Sequence, residues 1–152
     1  AIKLMMKEFY FISKMNFFIY LISPMLNLTL IMMMWIIYPF SGNYFLLKFN
    51  LLYLMCCLSL SVYSLMLAGW SSNSSYAMLG SIRSLAQSIS YEVSLSIILI
   101  IPMFLINDMN FMNLNNFQEK NIFFILIWPL GVIFLFSMMA ELNRTPFDFS
   151  EG

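Results

Sequence analysis

The sequence predicts an all-α fold, a polytopic transmembrane helix bundle with about four spanning helices, and three observations carry that prediction. Of the 152 residues, 62% are hydrophobic and only 9% charged, whereas a soluble domain averages about a quarter charged. The mean hydropathy is +0.86. Four apolar runs approach or exceed the ~20 residues a helix needs to cross a bilayer core. The length accommodates one domain, 1–152.

Taken in order, residues 1–14 mix Ile2, Leu4, Met5, Met6 and Phe9 with Lys3, Lys7 and Glu8. Such a segment can lie in the membrane interface as a short amphipathic helix. The first span is expected over 17–40, interrupted by Pro24 and Asn27, and a tight connection follows at 41–48. Lys48 precedes the second span, 49–70, and 71–84 is polar. The third span, 85–106, carries Glu92 and Pro102, and the polar, Asn-rich stretch 107–121 leads to the fourth span, 122–140, with Pro129 inside it. In lipid every backbone donor must be satisfied within its own segment, so these runs should be helices, with proline tolerated as a kink.

Charge placement orients the bundle. Lys3, Lys7, Lys14, Arg83 and Arg144 fall on the side of the first residue, and Lys48 and Lys120 on the other, five against two. The richer side is the compartment of synthesis, matrix or cytoplasm. Trp35 and Tyr38 near one span end, and Trp70 and Tyr76 near another, suit an interfacial aromatic belt.

Other features exclude function classes. Seven basic and seven acidic residues cancel, leaving no bulk field to attract nucleic acid. There is no His, which removes His triads and most zinc sites. Cys56 and Cys57 are adjacent in an apolar run and read as packing residues, as does the run Met32, Met33 and Met34. No Gly-rich phosphate loop is present, so the chain is expected to bind no metal, flavin or nucleotide of its own. Asn73-Ser74-Ser75 and Asn143-Arg144-Thr145 match the glycosylation sequon, a pattern common by chance. The chain opens on Ala1 and stops at Gly152 within a polar stretch, and is expected to be a piece of a longer protein. Its richness in Met, Phe, Ile and Asn suits AT-rich mitochondrial coding.

Two carboxylates stand out. Glu92 lies about seven residues, or ~10 Å, into the expected third span. A charge at depth costs on the order of 2.5–3.5 kcal/mol by insertion scales, so Glu92 should face protein or water. Gly80, Ser84, Ser88, Glu92 and Ser96 recur every four residues as a polar, small-residue stripe, and Arg83, Gln87 and Tyr91 form a neighbouring one. Glu92 is therefore either a hydrogen-bonded packing residue or a group that relays protons. Glu141 follows the fourth span and opens a charged stretch with Arg144, Asp148 and Glu151. There Arg144 can pair bidentately with a carboxylate and Pro146 stops a continuing helix.

The run Ala140-Glu141-Leu142-Asn143-Arg144-Thr145-Pro146-Phe147-Asp148, continuing to Ser150-Glu151-Gly152, resembles the signature loop of the subunit 1 family of NADH:ubiquinone oxidoreductase, respiratory complex I. Gly69-Trp70-Ser71-Ser72-Asn73-Ser74 and Arg83-Ser84-Leu85-Ala86-Gln87-Ser88-Ile89-Ser90-Tyr91-Glu92-Val93 are similar to the same family, as are Ala1-Ile2-Lys3-Leu4 and Lys7-Glu8. The likeness is to the mitochondrially encoded animal form. It implies the second to fifth of eight membrane helices, in the mitochondrial inner membrane. It further implies a subunit of an enzyme that reduces ubiquinone and translocates protons, with no redox centre of its own. The implied partners are the iron–sulfur peripheral arm, the other membrane-arm subunits, ubiquinone and the lipid bilayer. By position, the resemblance makes Glu92 and Glu141 proton-relay acids. It places Arg83, Tyr91, Arg144, Phe147, Asp148 and Glu151 along the quinone chamber and its loops.

Two other functions compete. The membrane subunit of a related ion-pumping hydrogenase would share the intramembrane acids, but mitochondrial-type composition counts against it. A stand-alone proton-coupled transporter would suit four spans and a buried Glu92, yet no inverted repeat relates the halves. A purely structural anchor leaves Glu92 unexplained.

Overall fold

A computed structural model of the chain describes residues 2–8, 11–38, 47–118 and 123–148, and every described element is helical. The helices are α1 (Ile2–Met5), α2 (Phe17–Met34), α3 (Asn50–Ser71), α4 (Ser75–Ile106), α5 (Phe111–Gln118), α6 (Phe123–Leu126) and α7 (Trp128–Glu141), with a 3₁₀ turn, Trp35–Ile37, closing α2. Among the described residues, three segments are long and apolar enough to cross a membrane: Phe17–Ile37, Asn50–Ser71 and Ser75–Ile106. Helix α2 packs on α3, α3 on α4, and α4 on α7.

Several boundaries differ from the expected ones. The polar stretch 71–84 is no loop, because α4 begins at Ser75 and runs for 32 residues. Ser74 takes an extended conformation before it (φ −120°, ψ 137°), and the Ala, Met, Leu and Arg that follow favour helix. At 1.5 Å per residue α4 is about 48 Å long, well beyond a ~30 Å hydrocarbon core. The stretch 107–121, expected as a loop, holds α5 at 111–118. The N-terminal amphipathic helix shrinks to the four residues of α1.

The fourth apolar run divides into two pieces. Ile127 leaves helical geometry (φ −124°, ψ 42°), and α7 restarts with Pro129 in its first turn, where a proline's missing N–H costs nothing. Helix α7 alone has 14 residues, about 21 Å, short of a full crossing. In α2 the proline is handled differently. Pro24 frees the Tyr20 carbonyl of its helical donor, and the Ser23 hydroxyl donates to that oxygen at 3.0 Å.

The serines serve the apolar setting in the same way. Those at 59, 61, 64, 81, 84, 88, 90, 94, 96 and 137 each donate to the carbonyl three residues earlier. A hydroxyl bonded within its own helix needs no water. It also keeps the side chain small, so helices approach closely.

Three helix ends use asparagine where glycine is the commoner choice. Asn73, Asn107 and Asn143 all have positive φ (48°, 59° and 48°). At α7 the Asn143 N–H bonds the Ala140 carbonyl and the Arg144 N–H bonds that of Met139, the paired bonds of a Schellman ending. Asn107 and Asp108 make the same pair of bonds to Phe104 and Met103.

Cross-links tie the ends of the bundle. On one side the Asn16 N–H donates to the Ser71 carbonyl at 2.9 Å and Asn73 Nδ2 to the Lys14 carbonyl at 3.3 Å. At the opposite end of α3, Asn50 Nδ2 donates to Asn110 Oδ1 at 3.1 Å. Helices α3 and α4 are therefore antiparallel, with Gly69 of one against Ser81 of the other.

Candidate functional site

The candidate residues converge where α7 ends against α4. Ala140 is fully buried there. Its carbonyl accepts a hydrogen bond from Gln87 Nε2 at 3.1 Å, and the same nitrogen donates to the Phe147 carbonyl at 2.9 Å. Gln87 lies twelve residues after Ser75, the start of α4, about 18 Å along its axis. The C-terminus of α7 thus meets α4 well inside its length, and the first three turns of α4 run on past it.

The loop after α7 is folded back on itself. Beyond the Schellman ending, the Phe147 N–H donates to the Arg144 carbonyl at 2.7 Å around a cis Thr145-Pro146 bond. That turn presents the Phe147 ring to α4, edge-on to Tyr91. Tyr91 is one turn beyond Gln87 on the same helical row, so one stripe of α4 supplies both the amide and the ring that receive the loop.

Glu92 follows Tyr91. It sits 17 residues from the start of α4 and 14 from its end, near the middle of the helix, because 75–84 is helical as well. On the same face Ser84 and Ser88 are buried, and Glu92 itself is half-buried. Glu141 adjoins Ala140, whose carbonyl Gln87 holds, so the last residue of α7 reaches α4 about a turn and a half before Glu92. Glu141 is half-buried, and its Oε2 is buried with no hydrogen-bond partner among the described residues.

The other predicted residues lie around this junction. Arg83 and Arg144 are exposed, Phe147 and Asp148 half-buried. Glu151 lies outside the described residues. Gln87 was legible only as a member of the Arg83 and Tyr91 stripe. The signal for it was an uncharged amide beside the small-residue stripe of α4, a group that must find partners once buried.

Comparison with known proteins follows this geometry. The family whose sequence profile matches, over residues 1–152, is described as NADH dehydrogenase. The chain is 48% identical over 152 residues to the NADH-ubiquinone oxidoreductase chain 1 of Locusta migratoria, covering all of this chain and 48% of that protein. It is 43% identical to the protein of the same name from Anopheles gambiae, again over all of this chain and 48% of the relative. Similarity extends to bacteria: an NADH-quinone oxidoreductase subunit of Pelagibacter ubique is 40% identical over 154 residues, covering 100% of this chain and 46% of that one. The chain spans about half the length of the curated relatives it matches. With the family profile matched along all 152 residues, this chain belongs to the family described as NADH dehydrogenase.

Proposed function

We propose that the chain forms part of a membrane-arm subunit of NADH:ubiquinone oxidoreductase, in the mitochondrial inner membrane, that helps to wall the chamber where ubiquinone is reduced and couples that step to proton translocation. The observation that carries the reading is the seating of the end of α7, which bears Glu141, on the part of α4 that bears Gln87 and Glu92. Two carboxylates close together in a low-dielectric setting resist ionising together, and they titrate as a pair. Such a pair responds to charge appearing nearby, because Coulomb energies are large where water is excluded.

In this reading ubiquinone lies beside the loop 142–148 and the first half of α4. Electrons reach it from an iron–sulfur cluster held by a partner in the peripheral arm. Arg83, Arg144, Asp148 and Glu151 set the field along the chamber, and Tyr91 and Phe147 support its wall. Reduction of the quinone creates negative charge that is neutralised by protons, and Glu92 and Glu141 take up and pass on protons in response. The match to subunits named for NADH and quinone oxidoreduction supports this assignment, as do the three long apolar helices.

Arg144 provides the test. Its planar fork binds carboxylates in a way an ammonium does not reproduce. In the full-length chain within the assembled membrane complex, Arg144→Lys should lower quinone reductase activity several-fold or alter sensitivity to quinone-site inhibitors. Full activity and unchanged inhibition in Arg144→Ala would remove the loop from the chamber.

A further inference from the structure

We infer that Gln87 is a positioning residue, a clamp whose amide fixes the loop 142–148 against α4 and so sets the shape of the quinone-facing wall. Only 7% of Gln87 is exposed, so its amide is cut off from bulk water and must be satisfied by protein. Both of its N–H groups are spent, on the carbonyls of Ala140 and Phe147 at 3.1 and 2.9 Å. Two carbonyl acceptors also settle which way the amide faces, since only its nitrogen can serve them.

The two acceptors are not equivalent. The Ala140 carbonyl belongs to the last turn of α7, where helical carbonyls lack intrahelical donors. The Phe147 carbonyl lies seven residues on, beyond the Schellman ending and the Arg144–Phe147 turn. One side chain therefore pins both ends of the loop to a single point on α4. The ring contact between Tyr91 and Phe147 follows from that pin, because the Phe147 backbone is held one turn away from Tyr91. Glu141 lies next to the pinned Ala140, so its placement near Glu92 depends on the same amide. The clamp leaves Gln87 Oε1 buried without a hydrogen-bond partner among the described residues. A carboxylate or an alkyl chain of the same shape would lack the donors that hold the Phe147 carbonyl and, beside its bond from the Asn143 N–H, the Ala140 carbonyl.

The inference deepens the proposed quinone role and rests on it, so the test separates the two. It uses the full-length chain in the assembled complex, with Gln87→Met, which keeps the length and removes both donors, and Gln87→His, which returns one N–H. Amide hydrogen exchange of residues 142–148 should quicken at least tenfold in Gln87→Met and to an intermediate degree in Gln87→His. The KM for a short-chain quinone should rise several-fold in Gln87→Met while kcat changes less, with partial recovery in Gln87→His. Wild-type exchange in Gln87→Met overturns the clamp, and if that variant does not assemble, wild-type exchange in Gln87→His overturns it equally. Faster exchange with an unchanged quinone KM upholds the clamp and instead removes this loop from the quinone chamber.

Discussion

The rings of Tyr91 and Phe147 meet edge to face, with centroids 5.5 Å apart and planes at 64°. Aromatic pairs in this arrangement contribute about 0.5–1.5 kcal/mol beyond the area they bury. Tyr91 stands on a long, packed helix and Phe147 on a seven-residue loop, so the loop has more to lose. We expect Tyr91→Ala and Phe147→Ala to be non-additive in a double-mutant cycle on quinone reductase activity, with a coupling of about 0.5–1.5 kcal/mol. Strict additivity would mean that the two rings act independently. Tyr91→Phe should behave close to wild type, because the ring face and edge are retained.

Helix α3 depends on a contact that tolerates no side chain. A Cβ placed on Gly69 would lie 2.2 Å from Ser81 Oγ and 2.3 Å from Ser81 Cβ. The second distance matters more, since rotating the hydroxyl away leaves the carbon in place. Overpacking of this kind costs about 1–3 kcal/mol. Gly69→Ala should therefore lower the thermal stability of the assembled subunit, and Ser81→Gly in the same chain should restore most of it. Ser81→Ala should not, because it keeps the Cβ. Equal stability of Gly69→Ala and wild type would show that α3 and α4 are free to separate here.

The helical class and the three long spans were legible because apolar length is a strong signal in lipid, where backbone polar groups leave few alternatives. The start of α4 was not. Residues 75–84 carry Ser, Tyr, Gly and Arg, and hydropathy reads such a stretch as a loop although its helix propensity is adequate. The division of the fourth run was half visible in Pro129, which was expected to kink a helix and instead opens one. Glu92 and Glu141 stood out as acids beside apolar runs, which is a one-dimensional signal. Their proximity is set by where the short α7 ends along the long α4, and no spacing in the sequence encodes that register. Gln87 escaped notice for a related reason. An amide carries no charge to flag it, and its partners are backbone carbonyls 53 and 60 residues away.

The antiparallel packing leads to a topological expectation. The turn 72–74 is tied to Lys14 and Asn16, whereas Asn110 is tied to Asn50 at the other end of α3. Single cysteines at positions 75 and 116, in a background lacking Cys56 and Cys57, should react with an impermeant maleimide from opposite faces of sealed membranes. Position 75 should be reached from the face richer in Lys and Arg, which under the proposed function is the matrix face. Labelling of both positions from one face would rule out α4 as a span.

Glu92 is the residue on which the coupling reading depends most. It lies at the centre of α4, on the face where Ser84 and Ser88 are buried, beyond the point where Gln87 holds the end of α7. A packing role and a proton-handling role make different demands on it. Packing needs only shape and hydrogen bonding, and Gln supplies both. Proton handling needs an acid that can exchange a proton, which Gln lacks and Asp keeps at a shorter reach. In the assembled complex, Glu92→Gln should therefore retain assembly while lowering coupled quinone reduction and proton pumping by tenfold or more, at least ~1.4 kcal/mol in the barrier. Glu92→Asp should keep a measurable part of both. The pairing with Glu141 adds a further expectation. If the two carboxylates act as a unit, Glu92→Gln and Glu141→Gln together should cost little more than either alone, as groups that share one step do. Independent, multiplicative losses would mean that each acts in a separate step. A Glu92→Gln complex that assembles and pumps at the wild-type rate would make Glu92 a packing residue and move the relay elsewhere.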